Sequence, residues 1–179
     1  MLRTLFRGAI ERGPAQSLAG LKRRAEERAA APEPKDFFRF QTSALTLVDL
    51  MDQNPDLFFG RSDAWWVNER FATRNGEARP LELRTGTVPG SLEKTWQKQQ
   101  RLLGRGEFVP TARDVVEGMV AAYRSGTRMF PDRYVRTSDV SSFGYRVGVG
   151  HFGVDGLHVS GHWDDARSSI LGVAAARMP

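Results

Sequence analysis

The chain contains no cysteine in 179 residues. That excludes a disulfide framework, a thiolate metal site and a cysteine nucleophile, and it leaves the redox compartment open. Lysine is scarce: 4 Lys stand against 22 Arg. The three histidines all fall between residues 151 and 162. No apolar run approaches the ~20 residues of a membrane span. The opening stretch, Met1 to Ile10, is too short and too broken by arginine for a signal-peptide core. Catalytic signatures are missing as well. There is no Gly-x-Ser-x-Gly elbow, no His-Glu-x-x-His and no phosphate-cradling loop, and Gly104-Arg105-Gly106 reads as a turn.

What is present suits one domain with an appended segment. Hydrophobic residues make up 40% of the chain, enough for a real core. The formal charge is +5 and the pI about 10.1. Basic proteins often meet nucleic acid, but this excess is small and carried by arginine amid abundant Ala, Gly and Pro, as a GC-rich genome produces. No nucleic-acid partner is expected.

Residues 1–35 read as a basic, Ala/Arg-rich arm and linker. Leu18 to Ala30 predicts a short charged helix, broken by Ala31-Pro-Glu-Pro. Such an arm could join copies of the chain into a homo-oligomer. The folded domain is expected over 36–179. Phe37 to Phe40 predicts its first strand, and Thr46 to Gln53 a short helix ended by Asn54-Pro55. Leu57-Phe58-Phe59 and Trp65-Trp66-Val67 form an aromatic cluster, read as core packing. Asn75-Gly76 predicts a turn. Leu81, Leu83 and Thr85 alternate as in a strand. Ser91 to Leu103 predicts a surface helix capped by Ser91, with Trp96 and Leu103 inward. The strongest helix signal starts at Pro110-Thr111, where Thr111 can cap and Asp114 follows three residues on. Ala112, Val115, Val116, Met119, Val120 and Tyr123 make one apolar stripe, and Gly126 stops it. Beyond Pro131 the texture changes to short strands: from Tyr134, from Tyr145 to Phe152, from Leu157 to Val159 and from Leu171 to Ala175. Val147, Val149, Phe152, Leu157, Val159, Leu171 and Val173 are the expected core positions, with turns at glycines and at Asp155-Gly156.

Phe108-Val-Pro-Thr-Ala-Arg113 leading into a helix, then short β segments, then Leu171-Gly-Val-Ala-Ala-Ala-Arg177, resembles the C-type lectin fold in its formylglycine-generating-enzyme-like branch. The likeness is good over 108–177 and loose over 37–107. It implies an α+β fold with two main helices and short, loop-rich β segments. A narrower likeness rests on Tyr134-Val-Arg-Thr-Ser-Asp-Val140, Arg146-Val147, Val149-Gly150, Phe152, Asp155-Gly-Leu157, Val159, Trp163-Asp-Asp165, Arg167 and Leu171-Gly-Val-Ala174. These resemble the end of a variable protein of a diversity-generating retroelement. Such elements rewrite adenines in Asn-type codons, and the resulting codons cannot encode Lys, Gln, Glu, Met or Trp. From Tyr134 to Arg177 only Trp163 belongs to that set, whereas residues 1–133 contain 27 such residues. Gly-rich β segments disfavour several of these types for ordinary reasons too.

The resemblance implies a ligand-binding display protein, not an enzyme, with a variable region over about 134–177. Its target would be a protein or a surface glycan, reached at a virion tip if the gene is in a phage or prophage, or at a cell surface. Localisation stays open, with synthesis in the cytoplasm expected. The expected variable, ligand-binding positions are Phe143, Tyr145, Gly148, His151, Gly153, Val154, His158, Ser160, Gly161, His162, Ser168, Ser169 and Ile170. Phe143 and Tyr145 are expected to be the central aromatic contacts. The expected scaffold residues are Arg146, Trp163, Asp164, Asp165 and Arg167. Trp163 would be a packing anchor, and Arg146 or Arg167 would pair with Asp139, Asp155, Asp164 or Asp165. The histidines match no metal-ligand spacing, so neither metal nor cofactor is expected. The rival readings are an invariant phage structural or assembly protein and a lectin-fold enzyme.

Overall fold

Strand and helix periods set the architecture. Phe38 and Phe40 flank Arg39 in β1 (Phe37–Gln41), as Leu81 and Leu83 flank Glu82 in β2 (Pro80–Arg84), and the two strands pair antiparallel. Between them lie α1 (Leu47–Gln53) and α2 (Arg70–Thr73). After β2 come α3 (Trp96–Gln100) and α4 (Ala112–Arg124). The remaining strands are β3 (Tyr134–Val140), β4 (Arg146–Gly153), β5 (Gly156–His162), β6 (Leu171–Val173) and β7 (Ala176–Arg177). This computed structural model describes residues 36–61 and 64–179. The arm and the helix expected over Leu18–Ala30 lie outside the described residues. The fold is α+β, with two sheets ordered β1-β2-β7 and β5-β4-β3-β6; β3 and β6 run parallel and the other pairs antiparallel. Among the described residues no helix is long and apolar enough to cross a membrane.

The two better-signalled helices begin where their caps require. Thr46 accepts the Asp49 N–H at 3.0 Å while the Asp49 carboxylate takes the Thr46 N–H at 2.9 Å, a reciprocal capping box. Thr111 accepts the Asp114 N–H at 3.1 Å and opens α4. The α4 stripe Ala112, Val115, Val116, Met119 and Val120 is buried in the main core. Leu81 and Leu83 of β2, Leu47, Leu50 and Met51 of α1, and Val135, Val147, Val149, Leu157 and Val159 of the larger sheet share that core. A Cβ at Gly118 would stand 2.7 Å from Leu83 and 2.9 Å from the Phe40 ring, so the missing side chain lets the small sheet rest on α4.

The C-terminal segment stitches the sheets together. Leu171–Val173 pairs with β3, the Ala174 N–H reaches Arg136 O, and Ala176 pairs with Leu83 and exchanges hydrogen bonds with Phe108. A smaller cluster of Val88, Trp96, Val173 and Ala175 fills the space outside β6.

Two expectations fail here. Residues 91–95 are not helical: α3 starts only after Thr95, and Glu93 has a left-handed φ of 57°. Ser91 is buried instead of capping, and its hydroxyl faces the Val173 N–H at 3.4 Å. Trp96 is buried as expected and Gln97, Lys98 and Gln100 are exposed, but Gln99 is fully buried as well and Leu103 only half so. Asn75-Gly76 makes no turn: Gly76 has its N–H on Ala44 O and its α-carbon against the Arg113 side chain.

Candidate ligand-binding face

One face of the β5-β4-β3-β6 sheet is the core; its other face carries the candidate site. Strand alternation does the sorting. In β5, Leu157 and Val159 go inward, while His158, Ser160 and His162 stay half-exposed. In β4, Val147 and Val149 go inward, then a bulge between Gly150 and Gly153 shifts the register so that Phe152 is also buried. The bulge turns His151 outward with φ 49° and seats its N–H on Arg133 O at 2.6 Å. Gly150 has no substitute there: at φ 143° a Cβ would lie 2.1 Å from Arg133 O.

The three histidines gather around Tyr134. Its ring stacks with His151 at 5.6 Å and meets His158 and His162 edge-on at 6.3 and 5.4 Å. His158 and His151 stand 5.5 Å apart, ring edge to ring face. The His162 ring lies across Gly148, where a Cβ would come within 2.6 Å of it. Its Nε2 is buried with no hydrogen-bond partner among the described residues, and burial, aided by the Arg136 charge, pulls its pKa down to about 4. Burial also lowers the pKa of His158, as does His151, against the opposing pull of Asp155. Burial raises that of Tyr134. Among the described residues no group of three or more His, Asp or Glu is placed to hold a metal ion.

The loop after α1 supplies a second wall. Phe58 and Trp66 are buried, but Phe59 is 54% and Trp65 43% exposed, which corrects the reading of the whole aromatic cluster as core. Phe59 stacks on His158 at 4.2 Å and 11°, and its N–H bonds Leu157 O at 3.0 Å. The Trp65 indole N–H donates to Val159 O at 3.2 Å. A cleft of about 350 Å³ opens between them, lined by Phe59, Trp65, Trp66, Tyr134, His158 and Ser160 among others.

Not all expected positions join this group. Phe143 stands at the β3–β4 turn, 73% exposed, in a separate cleft of about 490 Å³ shared with Trp65, Glu69 and Val140. Tyr145 is half-buried, pressed on Gly161 and 4.4 Å from the Trp163 ring. Gly148 is buried beneath His162 and offers no surface of its own. Gly153 ends β4, paired with Gly156, and Val154 lies exposed in the β4–β5 turn. Ser168, Ser169 and Ile170 precede β6, where Ser168 O takes the Glu93 N–H and Ile170 O the Tyr134 N–H.

The scaffold differs in part from expectation. Arg146 does pair with Asp164, at 3.1 and 3.2 Å, and lies 4.1 Å over the Trp96 ring. Asp139 instead bonds Arg74 at 3.0 Å and the Ala112 N–H at 2.7 Å. Trp163 is 56% exposed against Tyr145 and is no buried anchor, while Asp165 and Arg167 lie at the surface. The residue that ties the loops is Arg136. Wholly buried, it donates to Gln99 Oε1 at 2.9 Å and to the carbonyls of Lys94, Trp163 and Ala166 at 3.2, 2.7 and 2.8 Å. Burial lowers its pKa, yet the guanidinium keeps its charge among these acceptors. Neither the roles of Tyr134 and Arg136 nor the outward turn of Phe59 and Trp65 was legible in the sequence.

Fold and site together define an α+β scaffold bearing an open face of histidine and aromatic rings. No family model matches the chain, nor does any curated protein or solved structure.

Proposed function

We propose that this is a ligand-binding display protein of C-type-lectin-like fold, whose face around Tyr134 is diversified by a retroelement while the core behind it stays constant. The observation that carries the reading is the strict sorting along β4 and β5. Val147, Val149, Leu157 and Val159 are buried, and His151, His158, Ser160 and His162 are not. Side chains at the second set can change with little effect on core packing, because their ring contacts are with Tyr134, with Phe59 and with one another, outside the main core. Supporting it is the absence of Lys, Gln, Glu and Met between Tyr134 and Arg177. Rigid rings and small polar groups on a fixed sheet are the material of an adaptable binding patch. The face would engage a macromolecular target, a protein or a surface glycan, by area and shape.

The test is in the DNA beside the gene. The reading expects a near-copy of the last ~130 bases that differs only opposite adenines, next to a reverse transcriptase gene. An unvarying C-terminal sequence among close relatives, with no such copy, would point to an invariant structural or assembly protein.

A further inference from the structure

The His162 ring rests on a glycine. Gly148 stands opposite Ser160, so His162 reaches it along the cross-strand diagonal. A Cβ at 148 would lie 2.6 Å from the ring Cδ2 and 2.7 Å from Nε2. Gly148 has no positive φ, and its next neighbour, Ser160 O, is 3.7 Å from that Cβ position. The backbone there would accept a side chain; what the glycine admits is the ring. Two features of this seat suit a neutral ring and not a charged one. Nε2 is buried with no partner among the described residues, so an N–H placed there by protonation finds no acceptor. Arg136 stands opposite Gly148 on β3, wholly buried and always charged. Its hydrogen bonds go to Gln99 Oε1 and to the carbonyls of Lys94, Trp163 and Ala166, with no carboxylate among them. The other groups around the seat do not offset that charge. Tyr134 meets the ring edge-on at 5.4 Å and also meets His151 and His158. Arg146, the register partner of His162 on β4, is tied to Asp164, and Asp164 and Asp165 act on Arg136. The charge that acts on His162 is that of Arg136.

We propose that His162 is an acid-released latch: protonation drives the ring off Gly148 into solvent and changes the shape of the face beside Tyr134. The way out is open, because the ring is already half-exposed. The seated imidazole titrates near 4, and a released one near its ordinary 6.5. The proton therefore favours the released form. The ratio of released to seated chains grows as the pH falls below 6.5, by at most about 300-fold in total. Above pH 6.5 protonation supplies no drive and the ring stays seated. The latch belongs to this chain's own pairing of glycine at 148 with histidine at 162; a chain with another pair at these positions lacks it. Its consequence for a ligand rests on the display-protein reading. A target fitted to the face at neutral pH would meet, in acid, a gap over Gly148 with a cation at its rim. The latch itself stands without that reading.

The experiment is an NMR pH titration of the full chain, from neutral to about pH 4, following the imidazole protons, the Gly148 α-protons and the α4 amides. His162 is assigned with His162→Asn. At neutral pH the Gly148 α-protons should carry a ring-current shift that His162→Asn removes. On acidification that shift should vanish together with the titration of His162, at a midpoint between about 4 and 6.5, while the α4 amides stay protected. Gly148→Ala fills the seat. It should hold the imidazole outside at every pH and return its pKa to near 6.5. A Gly148 shift that persists after His162 has gained its proton would show a charged ring staying in place. A parent imidazole already titrating at 6.5 without any ring-current shift on Gly148 would show a ring never seated. Loss of α4 protection in the same step would show the domain unfolding with no separate latch. Each of these overturns the proposal, as does a folded Gly148→Ala chain whose His162 keeps the lowered pKa. The titration of the parent decides the question whether or not Gly148→Ala folds. No outcome depends on a ligand or on the retroelement, so the latch and the display-protein reading fail separately.

Discussion

Leu157 and Ser160 are three residues apart on one strand and answer to different neighbours. Leu157 is 1% exposed in the main core, and Leu157→Ala should cost about 2–5 kcal/mol in a urea melt. Ser160 lines the open cleft, and Ser160→Ala should change stability by no more than about 0.5 kcal/mol. His162 sits between these cases. It is held neutral in the fold, with a pKa near 4 against an ordinary 6.5. The unfolded chain therefore takes up a proton near pH 6.5 that the folded chain refuses until about pH 4. Its contribution is fully present above pH 6.5 and is lost as the pH falls toward 4, by an amount on the order of 2 kcal/mol allowing for partial exposure. Subtracting the stability–pH curve of His162→Asn from that of the parent should isolate this loss. A difference curve flat between pH 7 and 4 would mean that the imidazole is solvated.

At the scale of elements, sequence legibility followed locality. The 46–53 and 110–126 helices were readable because their caps and stripes are written within one turn of the chain. β4 and β5 were readable because alternation is local too. The segment 91–103 was not, since Ser91, Trp96 and Gln99 are placed by β6 and by Arg136, far away in sequence. The Gln99 amide N–H donates to Ser91 O and Leu171 O, and its oxygen accepts from Arg136. Nor could the sequence tell which ring of Phe58-Phe59 or Trp65-Trp66 turns outward, because the bridge from Phe58 to Leu157 decides it. Arg136 is the tie that connects α3, β3 and the loop before β6. Arg136→Met should leave three carbonyls and the Gln99 amide oxygen short of a donor and cost about 3 kcal/mol. Amide exchange in residues 163–170 should accelerate more than in α4. Equal acceleration throughout would show that Arg136 supports the domain as a whole and not these loops in particular.

Across the described domain, two sheets and α4 enclose the main core, and the C-terminal strands lock the sheets to each other. That arrangement leaves the outer side of β4 and β5 outside the core. It explains why an α+β fold was legible from the sequence while the membership of the face was only partly so. His151, His158, Ser160 and His162 do come together, but Phe143 and Tyr145 lie elsewhere, and Gly148 serves as a seat for His162. The rings that gather around Tyr134 are thus only part of the expected set.

The most direct measurement is the set of melting temperatures for a panel of chains randomised together at His151, His158, Ser160 and His162. Most members should melt within about 4 °C of the parent, equivalent to roughly 1 kcal/mol in a chain of this size. Matched changes at Val147, Val149 and Leu157 should unfold it. A panel in which most members fail to fold, or fall as far as the core variants do, would contradict the separation of a changeable face from a constant core.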